Sequence, residues 1–237
     1  MTVEDVTEET VRPVRRPMLV QRWTDLAFLH WPVAPERVAP LLPAGTVPDT
    51  LDGVSYVGLI GFRMVGAGLL RGPGIPYFGT FCETNVRLYS VDGRGRRAVV
   101  FLSLDAERLV PVLGARLALR LPYVWSRMRL TRDGDVLTYR SRRFFSSAAS
   151  RFRVRAGAPI TEPTALEHFV TARWGLHTRA WGRTLHLSNQ HPRWPLHRAE
   201  LLDLDDTLLA AAGITVDGPP VSTLYSPGVG VTFGPAH

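Results

Sequence analysis

Residues 78–123 read FGTFCETNVRLYSVDGRGRRAVVFLSLDAERLVPVLGARLALRLPY, and the predicted fold follows from this stretch. Two apolar-rich segments flank residues 91–97, where Asp-Gly and a second glycine predict the loop of a β-hairpin. Residues 98–104 are almost all apolar, which predicts a strand that is covered on both faces. A short helix-like segment and an extended Leu-Pro-Tyr end the stretch.

Three polar residues of the first strand, Glu83, Asn85 and Arg87, stand at spacing two. Side chains at this spacing leave the same face of a strand. An acid, an amide and a guanidinium are costly to bury without partners. This face is therefore either exposed to solvent or the polar wall of a cavity.

The rest of the chain predicts many strands and few helices. Hairpin signals recur, as at residues 132–135, and residues 162–174 give the strongest helix pattern, with Thr161 or Thr164 as the cap. Residues 34–43 and 203–212 predict two further short helices. We predict an α+β fold with mainly antiparallel β structure, and not a parallel sheet with regular crossover helices.

Composition predicts one domain. Residues 1–17 are charged and poor in large apolar side chains, so we expect a disordered tail, followed by a single domain over residues 18–237. The sequence shows neither a secretory leader pattern nor an apolar run of membrane-spanning length. The expectation is a cytoplasmic protein without a membrane partner.

The formal net charge is +7, and all 28 basic residues are arginines. Because the chain has no lysine, no Schiff base can form on a lysine side chain and no lysine can act as a general base. The one cysteine, Cys82, excludes a disulfide within the chain.

Several motifs occur in a characteristic order: QRWTDLAFLHWPV, FCETNVRLY, FLSLDA, LEHFVTARW, HPRWPL and YSPGVGV. Over about residues 18–233 they closely resemble the YqjF-like family of uncharacterised bacterial proteins. That family is grouped with the acetoacetate-decarboxylase-like superfamily. The resemblance implies an acetoacetate-decarboxylase-like β-barrel with a few short helices packed outside and a ligand cavity within.

The catalytic residues of the decarboxylase branch carry over only in part. In that branch a Gly-Arg-Glu segment precedes Pro-Lys-Lys, and its first lysine forms the Schiff base. Here Gly-Ala-Arg, ending at Arg116, precedes Leu-Pro-Tyr, so Tyr123 stands where the nucleophile is expected. The acid of the branch matches Glu83, its N-terminal arginine falls near Arg22, and its second acid falls near the apolar Ile60.

The resemblance and the residue pattern together predict a site without a metal or a cofactor. We expect Glu83 and Tyr123 as catalytic residues, and as substrate-binding residues Arg22, Arg116, Asn85 and Arg87. The structural alternatives are an ion pair of Glu83 with an arginine on a sheet face, a core position for Tyr123, and surface positions for the arginines. The spacing of the histidines at 186, 191 and 197 matches no common zinc pattern.

The leading hypothesis is a protein that binds a small, anionic, keto-acid-like molecule in the cavity. If it is an enzyme, proton transfer by Glu83 suits a lyase, an isomerase or a hydrolase without Schiff-base chemistry. The alternative is a non-catalytic ligand-binding or regulatory protein, and whether it forms a homo-oligomer stays open. A third hypothesis is nucleic-acid binding by residues 140–155, RSRRFFSSAASRFRVR, although interspersed acids and scattered charge argue against it.

Overall fold

The computed structural model describes residues 2–69, 72, 74–108 and 120–236. The strands in these residues are β1 Leu19–Val33, β2 Thr46–Pro48, β3 Ser55–Leu69, β4 Phe81–Asp92, β5 Arg97–Ala106, β6 Tyr123–Asp133, β7 Val136–Arg143, β8 Ala149–Pro159, β9 Gly175–Ala180, β10 Arg183–Gln190, β11 His197–Asp206 and β12 Ser222–Ala236. The helices are α1 Pro35–Val38, α2 Ala165–Thr171 and α3 Leu208–Ala211, with a 3-10 turn at Ala39–Leu41. The predicted α+β class with mainly antiparallel strands is confirmed.

All these strands belong to one sheet, in the order β10-β9-β5-β6-β7-β8-β11-β12-β1-β3-β4-β2. Two additional pairings, β4 with β5 and β10 with β12, make the sheet ring-like. One ring-like path runs through β6, β7, β8 and β11, and the other runs through β9 and β10. Strands β1, β3, β4, β5 and β12 belong to both paths. Most pairs are antiparallel, but β5 pairs in parallel with β6 and β9.

The shared strands send alternate side chains into two interiors. We call the interior that includes side chains of β7, β8 and α3 the large lobe, and the one that includes those of β9, β10 and α2 the small lobe. On β1, Leu29 packs in the large lobe and Phe28 in the small lobe. On β4, Val86 faces the large lobe, whereas Phe81 faces the small lobe. Strand β4 is consequently buried along its whole length.

The hairpin predicted at residues 91–97 joins β4 to β5, and the predicted helix at residues 162–174 contains α2. Thr164 caps α2, because its side chain accepts a hydrogen bond from the Glu167 backbone and the Glu167 carboxylate accepts one from the Thr164 backbone. The helix predicted at residues 203–212 is wrong over residues 203–206. Those residues extend β11, where they pair with β8, and only α3 remains helical. The helix-like segment expected after β5 falls mostly outside the described residues.

Residues 2–17 run along the surface of the folded chain. The Glu4 backbone N–H donates to the Gly95 carbonyl at 2.9 Å, the Trp174 indole donates to the Thr7 carbonyl, and the Val14 N–H donates to the Gln190 side chain. The disordered tail and the single domain stay predictions. Across the described ranges, no helix combines the length and apolarity needed to cross a membrane.

Candidate functional site

Glu83 lies on the small-lobe face of β4 with only 3% of its surface exposed. Its neighbours across the sheet are Phe62 on β3 and Ala106 on β5, and Phe81 precedes it on the same face. This apolar environment cannot solvate a carboxylate as water does. Burial therefore raises the pKa of Glu83 to about 7, against a usual value of 4.5. The face predicted as either solvent or polar wall is thus a buried one.

Two side chains donate hydrogen bonds to the Glu83 carboxylate. The Tyr123 hydroxyl donates to Oε2 at 3.1 Å, and the Asn85 amide donates to Oε1 at 3.4 Å. Both bonds lower the pKa of Glu83, but they offset only part of the larger effect of burial. Burial, and then the charge of Glu83, raises the pKa of Tyr123 well above its usual value, so the phenol stays a proton donor. These contacts bring together three of the residues predicted from the sequence.

Asn85 is the incompletely satisfied member of this group. It is 3% exposed, and its Oδ1 atom has no hydrogen-bond partner among the described residues. An unpaired buried acceptor costs free energy on the order of 1–3 kcal/mol, so native structures rarely leave one unexplained. A donor from a ligand would satisfy this atom.

Arg87 lies further along the same face and has different partners. Its Nε donates to the Tyr89 hydroxyl at 3.1 Å, and its Nη2 donates to the Val170 carbonyl of α2 at 2.7 Å. Tyr89 also donates to Val170, at 2.9 Å, and its hydroxyl lies 2.7 Å from Nε2 of His30. Arg87 therefore ties β4 to α2. Its Nη1 atom makes no hydrogen bond to any described residue.

The strand pairing explains why Glu83 and Tyr123 meet. Glu83 lies opposite Ala106 near the end of β5, and Tyr123 at the start of β6 pairs with Leu104 of β5. The connection from β5 to β6 thus starts and ends beside this pair. Arg116 belongs to that connection and lies outside the described residues, so its predicted role stays a prediction.

The structure does not bring Arg22 to this group. Arg22 is exposed on β1, whereas the next residue, Trp23, packs in the small lobe against Phe62, Trp194 and Phe233. Because successive side chains of a strand leave opposite faces, Arg22 points away from Glu83.

Two buried polar networks were missed from the sequence. In the first, Asp49 binds Arg97 and the buried Arg173, both at 2.5 Å, and Arg173 packs over the ring of Tyr89. In the second, Ser90 Oγ lies 2.8 Å from Nδ1 of His177. Their members are widely separated in sequence, so no local pattern could have revealed them. No set of three or more histidine, cysteine or acidic residues in the described part of the chain is arranged to hold a metal ion.

A cleft of about 650 Å³ lies elsewhere, between the N-terminal segment and the sheet. Its lining contains Glu9, Thr10, Pro13, Val14, Pro17, Val20, Gln190, His191, Pro192, Gly230 and Thr232. None of the predicted site residues lines it. The candidate site is therefore the buried group formed by Glu83, Asn85 and Tyr123, with Arg87 on the same strand face.

This group has the chemistry of a proton-transfer site. A carboxyl group with a pKa near 7 exchanges protons readily at neutral pH, and a general acid or base works best when its pKa is close to the working pH. The Tyr123 phenol can donate a hydrogen bond to an oxyanion that forms beside it.

Solved structures with this fold include several enzymes. The enduracididine biosynthesis enzyme MppR in complex with pyruvate matches with a TM-score of 0.65 at 14% identity, covering 93% of this chain and 90% of that one. An acetoacetate decarboxylase-like enzyme from Sphingomonas wittichii RW1 matches with a TM-score of 0.63 at 14% identity, covering 93% and 92%. Acetoacetate decarboxylase from Legionella pneumophila matches with a TM-score of 0.61 at 15% identity, covering 99% and 95%. These likenesses show the acetoacetate-decarboxylase-like fold.

Two comparisons of sequence show the family. The uncharacterized protein YqjF of Bacillus subtilis (strain 168) is 31% identical over 218 residues, which are 91% of this chain and 90% of the relative. The family model DUF2071, described as an uncharacterized conserved protein, matches residues 20–230. The resemblance found in the sequence motifs is confirmed, and the chain belongs to the DUF2071 family.

Proposed function

We propose that the protein binds a small anionic molecule of the keto-acid class beside Glu83, and that Glu83 transfers a proton to and from it. The observation that carries this proposal is the Glu83 carboxyl group, which is buried, has a pKa of about 7, and receives hydrogen bonds from Tyr123 and Asn85. A 2-keto acid is bound by a protein of the same fold, since MppR was solved with pyruvate.

The chemistry must proceed without a Schiff base on lysine, because the chain contains no lysine. In our proposal, the ionised Glu83 removes a proton from the carbon next to the keto group, and the C–H electron pair moves to form an enolate. Once Glu83 is protonated, its carboxyl group no longer carries the charge that holds the hydrogen bond from Tyr123. The Tyr123 hydroxyl can then donate to the enolate oxygen. Return of a proton from Glu83 to carbon regenerates the keto acid.

Two further atoms are suited to hold the ligand. Among the described residues, Asn85 Oδ1 is a buried acceptor that lacks a donor, and Arg87 Nη1 is a cationic donor that makes no hydrogen bond. A guanidinium is well matched to a carboxylate. The proposal therefore includes Arg87 and Asn85 as binding residues and does not include the exposed Arg22.

The test measures binding and proton exchange separately. Isothermal titration calorimetry with pyruvate and acetoacetate measures affinity, and proton NMR in D₂O follows loss of the methyl signal of pyruvate as deuterium replaces hydrogen. We expect the wild-type protein to bind and to accelerate exchange, and Glu83→Gln to bind while losing exchange. Glu200→Gln is the control, since Glu200 is an exposed partner of Arg155.

Two results would contradict the proposal in different ways. Binding without accelerated exchange in the wild type would support the non-catalytic ligand-binding alternative and remove the catalytic role of Glu83. Failure of several keto acids to bind between pH 6 and pH 8 would remove the proposed ligand class. Within that pH range the affinity should fall as pH rises, because an ionised Glu83 repels an anion.

A further inference from the structure

The outward face of β6, β7 and β8 carries aligned arginines on the outside of the large lobe. Arg129 on β6 lies directly opposite Arg140 on β7, which lies opposite Arg151 on β8. One row further along, Arg127 lies opposite Arg142. Most inward side chains of the same strands are apolar or small, such as Leu137, Ser141, Phe152 and Val154, and the inward Arg143 binds the buried Asp105. The alignment places like charges on adjacent strands, which disfavours folding.

Acidic partners neutralise only one edge of this face. Arg151 and Arg153 share the Asp203 carboxylate, and Arg155 pairs with Glu200 and Asp135. The arginines at spacing two on β8, Arg151, Arg153 and Arg155, are thus the ones with acidic partners. The other outward arginines, which we call the arginine face, are Arg127, Arg129, Arg140 and Arg142. They have no ion-pair partner within residues 2–69, 72, 74–108 and 120–236.

Exposed aromatic side chains adjoin the arginine face. Phe145 is 87% exposed and Phe144 is 42% exposed, although both are large apolar residues. Trp125 lies on the same side of β6, with its ring centroid 4.2 Å from that of Phe144 and 6.2 Å from that of Phe145. The guanidinium of Arg127 lies 5.9 Å from the centre of the Phe144 ring. Uncompensated positive charge and exposed aromatic rings therefore occur side by side.

We infer that this surface binds single-stranded nucleic acid, with phosphates on the arginine face and bases stacked on Trp125, Phe144 and Phe145. Charge complementarity requires an anionic partner, and the aromatic rings favour one with exposed planar groups. A paired duplex hides its base faces, so it can use the arginines but not the rings. This inference is independent of the proposed function, because Glu83 lies in the small lobe and the arginine face lies outside the large one.

Fluorescence anisotropy with a labelled oligothymidylate tests this inference. We expect the full chain to bind the single strand, with an affinity that falls as salt rises from 50 to 200 mM. Arg129→Gln/Arg140→Gln should reduce the slope of log K against log salt by about 1.4, since each lost phosphate contact contributes about 0.7 for single strands. Arg179→Gln/Arg183→Gln is the control of equal charge, because both of these arginines are exposed on the β9–β10 hairpin.

A second variant separates stacking from charge. Phe144→Ala/Phe145→Ala should weaken binding of the single strand about fivefold or more, and should leave binding of a matched duplex unchanged. Thermal unfolding provides a further check: the Arg129→Gln/Arg140→Gln variant should melt at the wild-type temperature or above it, because it removes facing like charges.

Several results would overturn the inference. These are no binding of the oligonucleotide at 50 mM salt, an equal loss of affinity in the control variant, and equal effects of the phenylalanine substitutions on single strand and duplex. Binding to phosphatidylserine vesicles without binding to the oligonucleotide would assign the surface to an anionic membrane instead. A lower melting temperature for Arg129→Gln/Arg140→Gln would show that these arginines stabilise the fold.

Discussion

Replacing Glu83 with glutamine should make the protein more stable at neutral pH and leave its stability nearly unchanged at acidic pH. The carboxyl group has a pKa of about 7 in the folded chain and 4.5 in its usual environment. Below pH 4.5 it is protonated in both folded and unfolded chains, so its titration has no effect on stability there. As pH rises from 4.5 to 7, the unfolded chain ionises while the folded chain holds the proton, and stability is lost.

The size of this loss of stability follows from the difference between the pKa of Glu83 in the folded chain and its usual pKa. One pKa unit corresponds to about 1.4 kcal/mol, so a separation of about 2.5 units costs the folded state about 3 kcal/mol at pH 8. Glutamine does not ionise and has a similar shape. When the Asn85 amide turns over, the glutamine amide can donate to Asn85 Oδ1, which has no partner among the described residues, and the glutamine carbonyl can accept from Tyr123. The substitution thus removes the ionisation cost, and the number of unpaired polar atoms on Asn85 stays at one, because Nδ2 loses the acceptor at Oε1 as Oδ1 gains a donor.

Urea unfolding of the wild type and of Glu83→Gln at pH 4.5, 6, 7 and 8 measures this effect. The difference in unfolding free energy should increase with pH by about 3 kcal/mol, in favour of the variant. The contributions of other titrating groups cancel in the difference. Glu200→Gln, at an exposed position, should differ from the wild type by a pH-independent amount within about 0.5 kcal/mol. A flat difference for Glu83→Gln would refute the buried environment of the carboxylate and the proton-transfer role that depends on it.

Three further predictions concern other parts of the structure. Tyr123→Phe removes a hydrogen bond that lowers the pKa of Glu83, so carboxyl NMR should show that pKa rising above about 7; an unchanged value would contradict the 3.1 Å contact. Burial lowers the pKa of His186 to about 3 from 6.5, so the unfolded chain takes up a proton at this histidine before the folded chain does, and acid destabilises the fold. Between pH 7 and pH 5 the unfolding free energy of His186→Gln should therefore fall by about 2 kcal/mol less than that of the wild type. An equal loss in both proteins would contradict the burial of this imidazole. Thr164→Ala should cost about 1 kcal/mol in urea unfolding, whereas Thr161→Ala should cost nothing, because only Thr164 caps α2.

The sequence predicted the features that depend on local pattern. The Asp-Gly turn placed the β4–β5 hairpin, and Thr164 was one of two caps proposed for the helix that contains α2. The spacing of Glu83, Asn85 and Arg87 predicted that they share a face, which the pairing of β4 with its neighbours now places in the small lobe. Residues 203–206 were predicted as the start of a helix over residues 203–212, but pairing with β8 makes them part of β11.

Features that depend on pairing between distant parts of the chain could not be predicted from the sequence. The aligned row formed by Arg129, Arg140 and Arg151 depends on the register of three strands, which the spacing within any one of them does not fix. The contact of His30 with Tyr89 likewise joins residues 59 positions apart. His30 is completely buried, but its partner could not be named from its position between Leu29 and Trp31.

The partners of the polar residues on β4 decide which of them are available to a ligand. Tyr89 is fully satisfied by His30 and by the Val170 carbonyl of α2, so its burial is explained by the fold alone. Arg87 shares the same carbonyl, and its Nη1 makes no hydrogen bond to a described residue. Towards the start of β4 the helix no longer supplies acceptors, and Asn85 and Glu83 depend on each other and on Tyr123. Stability alone would favour apolar side chains at these two positions, because their cross-strand neighbours are apolar: Phe62 and Ala106 for Glu83, and Ile60 and Leu104 for Asn85. In our proposal the acid and the amide serve binding or catalysis at this end of the strand, and the small-lobe face beside Glu83 is where a ligand should be sought.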